Sequence, residues 1–400
     1  MEKGMYKYDD VVYGEIYLSE EEQEIVQTPQ FQRLKKLKQL GHLKFNNGLE
    51  HTHNRFNHCI GTFHAAKLML DALERNTPWL LGNNNKIPLV YRKAVLLAAL
   101  LHDVGHGPFS HSWEHVAHNY EHEKIGFACV DKIFATIKKT FFPELRENDN
   151  YGVCLIKALI QGKINKLSSF SIEVPEKYQF IFEIVSNEHQ KIDVDKWDYL
   201  KRDHYHLKDI CSPDMDFDDV FLQASISQCG KHIQYRYEDY GRIYKLFAAR
   251  WQFHRKCYLL PNNAILDDIL RIAVNETKAK INGVNICEIN AENNMAAFLE
   301  LTDEKVLELI EKHPLSKLLT GQTEFCRLQD NEKLKEVSGQ TKIHIPSVMS
   351  YLNCDNFQFS GDPKDKPAVT DETETIEEAI SFYTDETKIF YKIDILEPKQ

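Results

Sequence analysis

Residues 94–111 constrain the fold more than any other stretch. Ala94-Val95-Leu96-Leu97-Ala98-Ala99-Leu100-Leu101 is apolar on every side, so as a helix it must lie deep in the protein, and it runs directly into His102-Asp103. A buried carboxylate needs a cation or a full set of hydrogen bonds. His106 and His111 follow across Gly105, Gly107 and Pro108, a composition that belongs to turns. Adjacent residues on a helix point about 100° apart, so His102 and Asp103 cannot enclose an ion alone. Two further ligands stand out. His58 opens a segment with Cys59, Phe63, Ala66 and Leu70 at helical spacing, and Asp195 sits in the carboxylate-rich run Ile192 to Tyr199.

The remaining pattern is mainly helical. Ser19 and Glu22 form a capping box after a short strand pair or turn over 12–19, and Pro29 interrupts the helix they open. Helices are expected at about 30–40, 57–75, 89–103, 122–140, 151–161, 177–187, 194–204 and 241–258, with a loop over 76–88. Alternation at 342–345 and 388–393 predicts strands, and residues 360–378, rich in Asp, Pro, Lys, Glu and Thr, predict an exposed loop. These signals divide the chain into a helical body over 1–265, a helical extension over 266–340 and a small mixed α/β C-terminal lobe over 341–400.

Composition narrows the function classes. With 42% hydrophobic and 27% charged residues, 400 residues can bury a large core. No apolar run reaches membrane-spanning length, and Met1 to Asp10 is too polar for a secretory signal, which predicts an intracellular protein, cytoplasmic or nuclear, without membrane partners. Nine cysteines without a Cys-x-x-Cys pair argue for reduced thiols. A net charge of −11 gives no global attraction for nucleic acid, so any anion site must be local. Arg33, Lys35, Lys36 and Lys38 form the one obvious basic run.

His58, His102, Asp103 and Asp195 together match the H…HD…D signature of the HD phosphohydrolase superfamily. Within it, Thr28-Pro29-Gln30-Phe31-Gln32-Arg33-Leu34, Lys38-Gln39-Leu40-Gly41, His53-Asn54-Arg55-Phe56, Gly105 to His111 and Ile192 to Tyr199 resemble the deoxynucleoside triphosphate triphosphohydrolases, nearest the animal enzyme in which a SAM domain precedes the HD domain. The resemblance runs from about Val12 to Asn262 and more weakly through Ser381-Phe382-Tyr383. With the resemblance starting at the HD body, no SAM domain is expected.

That resemblance implies an HD-domain catalytic body holding a divalent transition metal, iron, manganese or zinc, with magnesium on the substrate's phosphates. It implies attack at the α-phosphorus of a dNTP, giving deoxynucleoside and inorganic triphosphate. His111 matches the family's proton donor, His106 and His122 the histidines around the α-phosphate, and Glu114 an aspartate that orients them. Arg55, Lys196 and Arg250 match phosphate contacts, and Tyr199 the tyrosine beside them. Gln39 and Asp203 match the grip on the sugar 3′ hydroxyl. Tyr258 matches the gate against a 2′ hydroxyl, Leu40 lines the same wall, and His254 matches an active-site histidine. His51, His115, His118, His189, His232 and His344 match no family position. Tyr205 and Leu259 replace a family histidine and glutamine, which leaves base preference open.

Regulation departs from the animal pattern. Gln27 stands at the guanine-reading aspartate, Lys35 at a phosphate-binding arginine, Glu238 at a lysine and Leu260-Pro261 at a basic pair. An amide offers one acceptor where a carboxylate accepts both guanine N–H donors, so no GTP requirement is expected. A homo-oligomer, dimer or tetramer, is implied by the family. Two rival readings are another phosphohydrolase or phosphodiesterase activity on the same scaffold and a nucleotide or nucleic-acid binding module. The joint presence of Gln39, Asp203 and Tyr258 disfavours the first, and the intact ligand set the second. The metal, the base and the biological role, whether nucleotide balance, genome maintenance or antiviral defence, stay open at this level.

Overall fold

The computed structural model describes residues 4–42, 53–81, 85–117, 119–137, 141, 149–164, 173–259, 261–320, 339–343, 359–360 and 387–391. Strand β1 (Met5–Asp10) pairs antiparallel with β2 (Gly14–Ser19). Only the second strand falls in the expected 12–19 window. The Asp10 carboxylate accepts the Val12 and Tyr13 N–H groups and closes the turn there, so the partner strand lies upstream. The Ser19/Glu22 capping box is formed, with Ser19 N–H donating to Glu22 Oε2 at 2.6 Å, and starts α1 (Glu20–Val26).

Helix α2 (Pro29–Arg33) starts with Pro29 in its first turn and passes into a 3-10 turn at Leu34–Lys36. The helix expected to reach residue 40 therefore stops early. Lys38 forms a bridge with Asn54, Gln39 N–H donates to His53 O at 3.1 Å, and Arg55 N–H donates to Leu37 O at 3.0 Å. These cross-chain bonds replace the helical ladder.

At the centre lies α3 (Arg55–Asn76), capped by Asn54, and against it pack α4 (Leu89–Leu101) and α8 (Val194–Leu207). Tyr91, Ala94, Val95 and Leu97 to Leu101 of α4 are buried, as its all-round apolar sequence requires. Each fully buried leucine is worth roughly 1.5–3 kcal/mol over exposure. Helices α5 (Ser112–Val116), α6 (His122–Thr136) and α7 (Asp149–Gln161) follow α4, and α7 covers it. Gly105 lets the end of α4 approach α6: a Cβ there would stand 2.1 Å from His122 O.

Residues Glu176–Glu183 form a 3-10 helix where an α-helix over 177–187 is expected, because Phe180 N–H turns away to Gly230 O. Beyond α9 (Asp218–Gln223), strands β3 (Ser225–Ile226) and β4 (Ile233–Arg236) pair. Helix α10 (Tyr240–Phe253) then passes into a π-turn at His254–Tyr258, closed by Leu259 N–H to His254 O at 3.0 Å. Helix α11 (Pro261–Thr277), the hairpin β5 (Lys280–Ile281) and β6 (Val284–Asn285), and helices α12 (Met295–Glu300), α13 (Asp303–Leu309) and α14 (Ser316–Leu319) complete the body.

Toward the C-terminus, β7 (Gly339–Ile343) pairs antiparallel with β9 (Thr387–Tyr391), and β8 (Phe359–Ser360) joins β4 in parallel. The expected loop at 360–378, apart from Ser360, lies outside the described residues, as does Ser381-Phe382-Tyr383. Among the described residues no helix is long and apolar enough to cross a membrane.

Candidate metal centre and nucleotide cavity

His58 lies in the first turn of α3, His102 and Asp103 just past α4, and Asp195 in the first turn of α8, whose N-cap Asp193 accepts the Lys196 N–H. Three buried elements thus bring the four residues to one point. His58 Nε2 is 3.1 Å from His102 Nε2 and 3.0 Å from Asp195 Oδ1. His102 Nε2 is 3.5 Å from both Asp103 Oδ1 and Asp195 Oδ1, and Asp103 Oδ2 is 3.6 Å from His58 Nε2.

Hydrogen bonding decides which nitrogens face inward. His102 Nδ1 lies 2.9 Å from Ala99 O, which can only accept, and His58 Nδ1 lies 2.7 Å from Asp198 Oδ2. Both Nδ1 atoms therefore carry the proton, and in neutral imidazoles both Nε2 atoms are lone pairs aimed at one another and at two carboxylates. Burial opposes charge on His58, yet Asp195 and Asp198 outweigh it and raise its pKa to about 10, so a cation held here would take the place of the Nε2 proton. His58, His102 and Asp103 converge as a group that could hold a metal ion, and Asp195 Oδ1 adjoins both Nε2 atoms; two imidazoles and two carboxylates make a donor set that fits a divalent cation.

Asp198 orients His58 and is itself held. Arg202 Nε and Nη2 donate to its two oxygens at 3.0 and 2.9 Å, and Arg202 Nη1 reaches Asp10 of β1 at 2.8 Å.

A second histidine group stands beside the first. His106 Nε2 is 3.2 Å from Asp103 Oδ1, and its ring stacks on His122 at 4.0 Å with His111 edge-on. Glu114 joins His122 Nδ1 at 2.5 Å and His111 Nδ1 at 3.4 Å. Burial works against charge on Glu114, but hydrogen bonds from His111 and His122 prevail and hold its carboxyl far below the ordinary range. An ionised Glu114 fixes the proton of each neighbour on Nδ1, leaving Nε2 of His111 and His122 for whatever enters. Burial and nearby Arg55 push His106 well below its ordinary pKa.

These groups line a cavity of about 510 Å³. Its wall includes Gln39, Leu40, Arg55, Asp103, His106, His111, His122, Asp195, Lys196, Tyr199, Asp203, Arg250, His254 and Tyr258. Of the residues expected as metal ligands, catalytic groups or substrate contacts, His58, His102 and Glu114 do not line it. Some contacts differ from a bare reading of roles. Arg55 already bonds Asp103 and, at 2.9 Å, Ser110 Oγ. Lys196 Nζ is 2.7 Å from Asp193, and Arg250 Nε donates to the Tyr199 hydroxyl at 2.8 Å. At the Asp203 end the Tyr258 hydroxyl donates to one carboxylate oxygen and His53 Nε2 meets the other at 2.8 Å. Burial, then Arg250, lowers His254 to about 3.

Sequence reading passed over several contributors. His115, given no role, lines the cavity with Ser112, Asn263 and Asp267, while Leu259 lines it and the half-exposed Tyr205 does not. His189 and His232 stack on each other beside Glu183, away from the cavity; His51, His118 and His344 lie outside the described residues. His53 and Asp198 were within reach: one sits in the quoted motif, the other is an acid one helical turn beyond Asp195.

Residues 55–160 match the HD domain family model. The chain is 29% identical over 378 residues to the deoxynucleoside triphosphate triphosphohydrolase SAMHD1 of Xenopus laevis, covering 86% of this chain and 57% of that protein. It is 29% identical over 363 residues to the human protein of that name, covering 84% and 56%. A SAMHD1 homolog from Dictyostelium discoideum is 32% identical over 260 residues, covering 62% and 45%. The chain thus spans about half the length of the curated relatives it matches. It is an HD-domain protein, with a His/Asp cluster suited to a divalent metal, related over most of its length to the SAMHD1 triphosphohydrolases.

Proposed function

We propose that the chain is a metal-dependent triphosphohydrolase that converts deoxynucleoside triphosphates to deoxynucleoside and inorganic triphosphate. The observation that carries this reading is one cavity whose wall holds both the Asp103/Asp195 side of the His/Asp cluster and the Tyr258–Asp203 pair. A divalent ion on His58, His102, Asp103 and Asp195 would supply Lewis acidity toward a phosphate oxygen and acidify water. His111, held by Glu114 at Nδ1, would in its imidazolium form give the Nε2 proton to the leaving 5′ oxygen. Arg55, Lys196 and Arg250 offset phosphate charge, as arginine forks and lysine point charges do. Asp203 and Gln39 hold the sugar 3′ hydroxyl, and Tyr258 occupies the room a 2′ hydroxyl would need.

GTP independence belongs to the same reading. Gln27 is exposed, Lys35 lies over the Phe56 ring, and exposed Glu238 pairs with Arg236 at 2.8 Å, so an activator's phosphates would meet a carboxylate there. The active protein is proposed to be a homo-oligomer that forms without nucleotide.

Incubation with each of the four dNTPs and the matching ribonucleotides, with and without GTP, followed by ion-pair chromatography, tests this directly. Triphosphate and deoxynucleoside are expected in both arms. A main product of dNMP with pyrophosphate would reassign the scissile bond, and turnover seen only with GTP, alongside a GTP-induced tetramer in sedimentation, would refute independence. Tyr258→Ala should narrow the preference for dATP over ATP by at least about tenfold, while slowing dATP itself. An unchanged ratio would put the gate elsewhere.

A further inference from the structure

The turn that carries His111 is unusual. Phe109 and Ser110, neither of them glycine, have φ of 57° and 58°, in the left-handed region that side chains with a Cβ seldom adopt. Two such residues in succession persist only where their surroundings over-determine them. Facing this turn is the segment Leu37–Gly41, which presents Gln39 and Leu40 to the cavity. The two are tied together: Ser110 Oγ donates to Lys38 O at 2.7 Å, and Gly41 packs so close that a Cβ would stand 2.7 Å from Phe109 O.

We propose that Asp303, at the start of α13 and outside the residues that match the HD domain, is the positioning residue that holds the His111 turn and the Gln39 segment in register. Its Oδ1 accepts the Phe109 N–H at 2.7 Å and its Oδ2 accepts the Lys38 N–H at 2.9 Å. The carboxylate is 4% exposed, so water cannot stand in for either bond. An ionised carboxylate accepts from both donors at once, whereas an amide turns its own N–H₂ toward one of them. Burial raises the Asp303 carboxyl to about 6 against the pull of these N–H groups, so it is the charged acceptor at neutral pH. Arg33 secures the same junction, donating to Leu301 O at 2.6 and 3.0 Å and to His106 O at 2.7 Å. Leu301 O and the Asp303 carboxylate thereby clamp the cavity from a part of the chain remote in sequence.

The catalytic consequence rests on the reading given under Proposed function; the structural one does not. The test uses Asp303→Asn in the full chain, with Thr302→Ala as a control that removes the cap of the same helix, where Thr302 Oγ1 accepts the Lys305 N–H. Three quantities are measured for each: kcat and KM for triphosphate release from dATP, bound metal per chain, and a crystal structure of the turn. For Asp303→Asn, kcat should fall on the order of 10- to 100-fold with wild-type metal content, and Phe109 and Ser110 should leave the left-handed region. Thr302→Ala should lower the melting temperature and change neither. An Asp303→Asn turn that superimposes on wild type, or a Thr302→Ala loss of kcat as large as that of Asp303→Asn, overturns the inference. A wild-type protein inactive on every dNTP would instead refute the proposed function, and the crystal comparison would still decide the role of Asp303.

Discussion

Asp195→Ala is expected to yield a folded protein that holds no metal and turns over no dNTP. Asp195 contributes an oxygen that stands close to both inward-facing nitrogens, 3.0 Å from His58 Nε2 and 3.5 Å from His102 Nε2, and among the four proposed ligands it alone is substantially exposed, at 33% of its side chain. Its loss removes a carboxylate without opening the core. The remaining nitrogens and Asp103 form an incomplete donor set, and Asp103 already carries the Arg55 and His106 contacts. A bound metal is worth several kcal/mol of charge stabilisation, so turnover should drop by at least about a thousandfold. A His102→Ala/Asp103→Ala pair should lose the same two properties. The measurement is metal per chain by plasma mass spectrometry beside triphosphate release; full activity in a metal-free Asp195→Ala protein would refute the ligand assignment.

A different kind of loss is expected one helical turn further on. Asp198 is fully buried and neutralises Arg202, itself 1% exposed, while orienting His58. Asp198→Ala strands that guanidinium with Asp10 as its remaining carboxylate partner among the described residues. Breaking a buried pair by removing one partner costs about 3–5 kcal/mol, far above the roughly 0–1 kcal/mol typical of exposed pairs such as Lys124–Glu121. Metal affinity should fall as well, by about 10- to 100-fold, because His58 loses the group that sets its tautomer. Gly61→Ala should mimic the variant from the other side, since a Cβ at that position would lie 1.9 Å from Asp198 Oδ1 and 2.2 Å from Arg202 Nη2. Urea midpoints compared with wild type check both; an Asp198→Ala protein as stable as wild type would mean that Arg202 finds another partner or water.

Much of this was legible from local pattern. The apolar run ending at Leu101 reads as a buried helix, and Ser19/Glu22 marks a helix start by chemistry within a single turn. The family resemblance supplied the residues expected around the cavity, because residue type and order survive in one dimension. Element ends fared worse for an equally physical reason. Helical periodicity continues through Leu37 and Leu40, yet Lys38 and Gln39 give their N–H groups to Asp303 and His53, and no local signal announces acceptors 265 and 14 residues away.

What the sequence determined by itself, then, is the helical character of the body and the identity of the chemical groups, since both depend on neighbours within a few residues. Only the tertiary structure decided which nitrogen of each histidine faces inward, that Asp198 and Arg202 stand behind His58, and that Asp303 spans two cavity walls. Hydrogen bonds between segments 140 or more residues apart depend on how helices pack, and packing responds to the whole buried surface and not to any one stretch of it.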